Sequence, residues 1–271
     1  MKKLVSALTI IFFSSYASAQ TYSPMSWGMN KAASPYDFGT NINGIWYNLG
    51  KLSSSGVWTI PSSNLTFTPS GTGAVTETVQ GKLSQYAVTP EEYGAYGDCS
   101  HDDTTAIQRA INASSNVEFN NTSACYLTNT ITVSKATQIS IKPGVTVKRK
   151  DGTCGNAQVF SITSAPFTTI SGGGRIDGNR SAFAGCIPSF NAAWTIDGVY
   201  VRSSDVTVKD ITIQNVVRNA FNVAFSDRLN VNNVSINNTG TGLNIQYSNN
   251  INISNINETS MGNNKIGRAH V

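Results

Sequence analysis

Apolar and polar positions follow a pattern that returns three times in the second half of the chain. The three copies are residues 206–213, 229–236 and 251–258, and they begin 23 and then 22 positions apart. Within each copy the apolar residues alternate, as in a strand whose successive side chains point to opposite faces. An Asp or Asn interrupts the alternation after four residues. This interruption predicts a turn, because Asp and Asn tolerate the left-handed backbone of tight corners.

A second alternating run precedes each copy and is joined to it by a short polar link. Its apolar residues are Val199 and Val201, Val223 and Phe225, and Ile245 and Tyr247. Each period therefore contains about three short strands, and copies of such a unit must stack to bury their inward face. At roughly 3.3 Å per residue, one period fits one turn of a three-faced parallel β-helix. A leucine-rich repeat shares this period, but it needs dense leucine and a helical return, whereas these columns are Val and Ile.

Composition favours an exported, all-β chain. Charged residues make up 13% of the sequence, and the net charge is +4. Lys2 and Lys3 precede an apolar run and then small residues, so residues 1–19 are predicted to be a signal peptide of a secreted or periplasmic protein. No later stretch is apolar enough to span a membrane. Beyond residues 148–150 there is no basic cluster, which argues against nucleic acid as a partner.

The cysteines indicate disulfides, because all four lie in the part of the chain that would be exported. Four cysteines allow three pairings. We favour Cys99 with Cys125 and Cys154 with Cys186, since each pair would join neighbouring coils. A zinc site is the alternative, but the sequence has no Cys-x-x-Cys and its two histidines are His101 and His270. We therefore predict no metal site of this kind.

The predicted domains follow from these patterns. Residues 20–88 form a small irregular or β-rich leader, and residues 89–265 form the β-helix. A short amphipathic helix is expected after Asp102 and Asp103, which offer N-cap oxygens, since apolar residues then recur on one helical face. Those residues are Ala106, Ile107, Ala110 and Ile111. The helix would cover the open edge of the first coil, which otherwise exposes unpaired backbone groups.

Residues 93–98 (YGAYGD) and 102–108 (DDTTAIQ) resemble the signature that opens the pectate-lyase-like superfamily, which includes rhamnogalacturonase and epimerase-type domains. The resemblance implies a right-handed parallel β-helix over about residues 90–264 and an activity on polysaccharides. Residues 78–83 also resemble the lead-in of phage tail-spike proteins, which implies a homotrimer that cleaves polysaccharide or binds a receptor. Residues 172–179 are similar to a structural turn of polygalacturonases, in which Asp177 would cap the turn.

Catalytic residues are not identified by this resemblance. Polygalacturonases carry their carboxylates in two segments, to which residues 238–245 and 262–266 are similar. Thr241 stands in place of the first carboxylate, and Asn263 and Asn264 stand in place of the second pair. Amides and hydroxyls cannot act as general acids or bases near neutral pH. The polygalacturonase mechanism therefore does not carry over to these positions.

The candidates for substrate binding are Trp194, Arg218 and Asn244. Trp194 lies in a long segment, residues 183–197, that would stand off the helix as a loop. We expect the chain to bind and cleave an extracellular acidic or capsular polysaccharide, as a lyase or a glycoside hydrolase. The alternative is a non-catalytic module that binds carbohydrate or a receptor, as a tail spike or an adhesin does. No cofactor is evident, although a lyase could use Ca²⁺ to neutralise a uronate.

The last six residues break the repeat. Residues 266–271 match the translation of a common sequencing adapter. The sequence therefore predicts a β-helix that is incomplete at its C-terminus, with an outermost coil that frays.

Overall fold

The computed structural model describes residues 26–30, 36–42, 45–52, 58–60, 65–83, 85–121, 124–150, 155, 158–186 and 197–259. The chain divides into two compact units, Met1–Gln85 and Tyr86–Val271. In the first unit, β1 to β4 form an antiparallel sheet in sequence order, β5 and β6 pair antiparallel, and α1 follows. These elements are β1 Ser26–Asn30, β2 Tyr36–Ile42, β3 Ile45–Leu52, β4 Trp58–Thr59, β5 Thr66–Phe67, β6 Glu77–Thr78 and α1 Val79–Leu83.

The second unit contains one α-helix, α2 Thr104–Ala113, and fifteen strands within the described residues. The strands are β7 Asp98–Asp102, β8 Asn116–Phe119, β9 Cys125–Thr128, β10 Ile131–Val133, β11 Gln138–Ile141, β12 Thr146–Arg149, β13 Phe160–Thr163, β14 Thr169–Ser171, β15 Arg175–Asp177, β16 Val199–Arg202, β17 Thr207–Gln214, β18 Asn219–Ala224, β19 Asn230–Asn237, β20 Thr241–Gln246 and β21 Asn252–Thr259. Two 3₁₀ turns, Pro90–Tyr93 and Arg180–Cys186, complete the unit.

Every strand pair in the second unit is parallel, which confirms the predicted stacked coils. Five strands form one sheet in the order β10-β13-β16-β18-β20, which we call the front sheet. The other ten form a second, bent sheet. Strands β17, β19 and β21 each contribute two segments to the bent sheet, because Asp210, Asn233 and Asn255 turn the backbone with φ of 51°, 51° and 53°. The predicted interruption is therefore a corner of the coil.

The strand register places equivalent residues of successive coils directly above one another. Val208 pairs with Val231, which pairs in turn with Ile253. Of these three side chains, Val208 and Val231 are fully buried. Complete burial of such a side chain is worth roughly 1.5 to 3 kcal/mol. Stacked apolar columns of this kind stabilise the β-helix.

Helix α2 covers the edge of the first coil, as predicted. Ala106, Ile107, Ala110 and Ile111 are all buried. On the opposite side, Gln108 donates from Nε2 to the carbonyl of Thr132 at 2.8 Å and accepts from the backbone N–H of Thr132 at 2.9 Å. Thr132 lies in β10, the edge strand of the front sheet. The amide of Gln108 thus satisfies backbone groups that an uncovered edge would leave unpaired.

The predicted N-cap roles need one correction. Asp103 occupies the N-cap position, but its side chain makes no capping hydrogen bond. Its carboxylate instead accepts from the backbone N–H groups of Tyr96 and Gly97, at 2.7 and 3.1 Å. Asp102 accepts from the Thr104 N–H at 3.0 Å and caps the helix in its place. The Tyr96–Gly97 turn approaches Asp103 more closely than the helix terminus does, and this decides which carboxylate caps.

A disulfide joins Cys99 to Cys125, as predicted, and links β7 with β9. The predicted partners Cys154 and Cys186 have side chains outside the described residues. The same holds for the signal peptide, residues 1–19, and for residues 266–271. Among the helices of the described residues, none is long and apolar enough to cross a membrane.

Candidate functional site

The outer face of the front sheet is polar and brings two of the predicted binding residues together. Asn244 lies in β20 with its side chain half-buried. Arg218 directly precedes β18, and its carbonyl accepts from the Thr241 N–H at 2.6 Å. The third candidate, Trp194, lies outside the described residues. Thr241, which stands where polygalacturonases have a carboxylate, begins β20, and Asn263 and Asn264 lie outside the described residues.

A chain of hydrogen bonds crosses this face from a buried carboxylate. Asp197 is 1% exposed and accepts from Asn219 Nδ2 at 2.7 Å and from Asn222 Nδ2 at 2.8 Å. Asn222 Oδ1 accepts in turn from Asn244 Nδ2 at 3.0 Å. These hydrogen bonds orient the amides. The NH₂ groups of Asn219 and Asn222 donate to Asp197, and that of Asn244 donates to Asn222. The Asn244 oxygen ends the chain and accepts from Gln246 Nε2 at 3.5 Å.

Burial raises the pKa of Asp197, because the charged carboxylate loses water that its neighbours replace only in part. The amides of Asn222 and Asn219 and the positive charge of Arg218 oppose this shift. A carboxyl group with a raised pKa can hold or release a proton closer to neutral pH than an exposed aspartate can. Asp197 is 1% exposed and both of its oxygens accept hydrogen bonds, so its role at this face is to orient the neighbouring amides.

An aromatic ridge follows the ends of β18 and β20, and we define it as Arg202, Phe225 and Tyr247. Phe225 and Tyr247 are 60% and 64% exposed, and their rings stack with centroids 5.0 Å apart and planes inclined by 11°. The Arg202 guanidinium carbon lies 5.3 Å from the centroid of the Phe225 ring. Both aromatic residues have left-handed backbones, with φ of 50° and 48°.

The alternation grouped Phe225 with Val223 and Tyr247 with Ile245, but in the structure the two aromatic rings are exposed. The inward residues of these strands are Phe221 and Val223, and Leu243 and Ile245. Val201 pairs with Val223, and Val208 pairs with Val231. Val208 follows Val201 by seven positions, whereas Val231 follows Val223 by eight, so the second of these coils has one more residue in this stretch. The extra residue is accommodated by the left-handed turn at Phe225. This one-residue excess was visible in the sequence and could have identified the ridge.

An ion-pair network fixes the turn beneath the ridge. Arg228 binds the Asp205 carboxylate through two hydrogen bonds, Nε to Oδ1 at 2.6 Å and Nη2 to Oδ2 at 2.7 Å. It also pairs with Asp227. These hydrogen bonds lower the pKa of Asp205 and raise that of Arg228. The network ties neighbouring coils together, so these charges position the ridge.

The face lacks the carboxylate pair of a typical glycoside hydrolase within the described residues. Such enzymes place two carboxyl groups on either side of the scissile bond. Among the described strands of the front sheet, the outward positions carry hydroxyl, amide, aromatic and Arg side chains. The described residues also contain no group of three or more His, Cys, Asp or Glu side chains that could hold a metal ion.

Comparison with known proteins identifies the fold. No protein-family model and no curated protein sequence matches this chain. Among solved structures, it is similar to the family 28 exopolygalacturonase of Yersinia enterocolitica, with a TM-score of 0.53, 14% identity and coverage of 82% of this chain and 48% of that one. It is equally similar to the tailspike protein of Escherichia coli bacteriophage HK620 in complex with a pentasaccharide, with a TM-score of 0.53, 14% identity and coverage of 73% and 40%.

The chain has the right-handed parallel β-helix fold, which both of these proteins share. It spans less than half the length of either protein. The structural similarity to these proteins confirms the fold class that the opening signature and the repeats predicted.

Proposed function

We propose that the chain is an exported, polysaccharide-active protein that binds a carbohydrate chain along the outer face of its front sheet. The observation that carries this proposal is the stacked, exposed pair Phe225 and Tyr247. The two stacked rings and the neighbouring guanidinium form one contiguous exposed patch, and contiguous apolar patches mark binding surfaces. A flat ring can pack against the C–H face of a sugar, while Arg202 and Asn244 can bind its oxygen atoms.

Two further observations support a carbohydrate ligand. The tailspike structure contains a bound pentasaccharide, and the Yersinia protein is an exopolygalacturonase. Both use the same β-helix fold. Export is supported by the predicted signal peptide, and the Cys99–Cys125 disulfide suits an oxidising compartment outside the cytoplasm.

Binding is tested by titrating the full chain with a panel of acidic and capsular polysaccharides. We expect Phe225→Ala and Tyr247→Ala each to weaken binding roughly tenfold, in line with the loss of one stacking ring. Tyr86→Ala is the matched control, because Tyr86 is equally exposed and belongs to neither the ridge nor the front sheet. If the ridge variants retain full affinity for every polysaccharide that the wild type binds, the proposed site is wrong.

The second candidate function is cleavage of the bound polysaccharide, as a lyase or a glycoside hydrolase. The fold that the chain shares with the Yersinia exopolygalacturonase supports it. A lyase would release unsaturated ends and could use Ca²⁺ to neutralise a uronate, whereas a hydrolase would release reducing ends. Incubation with and without Ca²⁺ separates these activities. If neither product forms while binding persists, the chain is a recognition module.

A homotrimer is the assembly that the tail-spike resemblance implies. We propose it for the full protein, and light scattering of the purified chain tests it. A mass of three chains supports the tail-spike type of organisation. A monomer that still binds polysaccharide favours the exported enzyme or adhesin.

A further inference from the structure

A cavity of about 410 Å³ opens at the other end of the strands that carry the ridge. Phe225 and Tyr247 directly follow β18 and β20, whereas Asn215 and Asn238 lie four and three residues before them. These two asparagines line the cavity together with Lys148, Asp177, Arg180 and Ser181. The volume is in the range of small-ligand sites. It lies at the opposite ends of these strands from the ridge.

The carboxylate in this cavity is already occupied by internal hydrogen bonds. Asp177 is 7% exposed and accepts from the Asn179 N–H at 2.7 Å, as expected for a residue that caps its own turn. It also accepts from Gln214 Nε2 and from Asn215 Nδ2, both at 2.8 Å. Asn238 Nδ2 donates to Asn215 Oδ1 at 2.8 Å and extends the chain to the surface. A ligand would therefore meet amides before it met the carboxylate.

The groups that face solvent are cationic or neutral. The Lys148 side chain is half-buried, and its ammonium makes no hydrogen bond or ion pair with any residue that the structure describes. Arg180 is anchored by its Nη1, which donates to the carbonyls of Val216 and Val217 at 2.9 and 3.4 Å. The Ser181 side chain is exposed beside it. The cavity thus presents two positive charges above one buried, hydrogen-bonded carboxylate.

We propose that this cavity binds a sugar residue that carries a single negative charge, as a carboxylate or a sulfate ester. Lys148 and Arg180 would bind the oxyanion, because charged N–H donors form the stronger hydrogen bonds to anionic oxygens. Ser181 and Asn238 would bind the sugar hydroxyls. One anion against two cations and a buried carboxylate leaves the occupied site close to neutral. The proposal holds for a free acidic sugar and for an acidic residue within a longer polymer.

The test uses the full chain, labelled with ¹⁵N, and three probes: glucuronate, glucose 6-sulfate and glucose. We expect either acidic probe to shift the side-chain amide signals of Asn215 and Asn238, and glucose to shift them far less. Lys148→Gln should weaken acidic-probe binding roughly three- to tenfold. Lys209→Gln is the control, since Lys209 is another exposed lysine and lies on β17, away from the cavity lining. Equal thermal transitions show that both variants fold.

Three outcomes would overturn the proposal: no binding of either acidic probe, equal binding of glucose, or unchanged binding by Lys148→Gln. The two acidic probes also distinguish a carboxylate from a sulfate ligand. Phe225→Ala should leave acidic-probe binding unchanged. A loss of polysaccharide binding in that variant with retained probe binding would separate the cavity from the ridge.

Discussion

Single residues with left-handed backbone determine both the corners of this β-helix and its aromatic ridge. Asp210, Asn233 and Asn255 adopt φ near 50°, which short polar side chains tolerate. Phe225 and Tyr247 adopt the same conformation without that advantage. A bulky residue in this region is uncommon, and such backbone strain is concentrated at functional sites. The strain at the ridge agrees with a binding role.

Asp197 gives a prediction about pH. Its folded-state pKa is raised above the ordinary aspartate value of 3.8, so the folded protein binds its proton more tightly than the unfolded chain does. Its contribution to the free energy of unfolding is therefore most favourable at acid pH and falls as pH rises through the raised pKa. Asp197→Asn removes this titration. We expect the stability of the variant relative to wild type to increase with pH, by at most about 1.4 kcal/mol per pH unit.

Urea unfolding at several pH values between 4 and 8 measures this difference. Asp205→Asn provides a control whose stability difference from wild type stays flat over this range, because Arg228 lowers the pKa of Asp205. The stabilising contribution of Asp205 is present above pH 3.8 and is lost as pH falls through the lowered pKa. A flat difference for Asp197→Asn across the whole range would contradict the assigned pKa direction.

At the scale of elements, parallel pairing of strands from successive coils gives the fold its stability. The segments of β17, β19 and β21 pair over nearly their whole length and keep one register. A shift by one residue would expose every buried Val and Ile, because side chains alternate between faces. The register is thereby fixed by the apolar columns. The extra residue at Phe225 is tolerated because it lies in a turn.

The disulfide between β7 and β9 should stabilise the first coil. Cys99 and Cys125 are 26 residues apart in sequence. A crosslink that closes a loop of this length restricts the unfolded chain and stabilises the fold by about 3 kcal/mol. We expect the Cys99→Ser/Cys125→Ser double variant to lose a stability of this size in denaturant unfolding. A reducing agent should lower the Tm of the wild type more than that of the double variant, which no longer has this crosslink.

At the scale of the whole molecule, the β-helix unit is a stack whose coils differ in protection. Helix α2 covers one edge through Gln108. At the other end of the described residues, β21 pairs with β19 alone. Its side chains are exposed or half-buried, and Ile253 is 36% exposed where Val231 is fully buried. Stability should therefore decrease toward β21, because each coil depends on its neighbours.

Amide hydrogen exchange of the 271-residue chain tests this gradient. We expect the amides of β21 to exchange much faster than those of β17, with β19 between them, since local opening of an outer coil exposes little apolar surface. The comparison is internal, because the three strands have similar sequences and equal lengths. Equal protection of β17 and β21 would show that another surface covers the outer coil.

Several parts of the fold could be predicted because they depend on local pattern. Ala106 and Ile111 have the spacing of one helical face, and Asp210, Asn233 and Asn255 recur at one position of the repeat. The binding residues were predicted less well. Arg218 and Asn244 do lie at the front sheet, but the exposure of Phe225 and Tyr247 was not predicted. Alternation predicts which side chains share a face only within a continuous strand. Where a turn inserts one residue, it no longer predicts which side chains face inward.

By itself, the sequence determined the strands, the period of the coil, the turn positions and the capping helix. Each of these depends on residues within about one repeat of one another, where side-chain alternation and backbone preference dominate. The tertiary structure decided which aromatic rings face solvent, which amide chain Asp197 orients, and which charges surround the cavity at Asp177. Those features join residues from different coils, and only the stacked backbone brings these residues together.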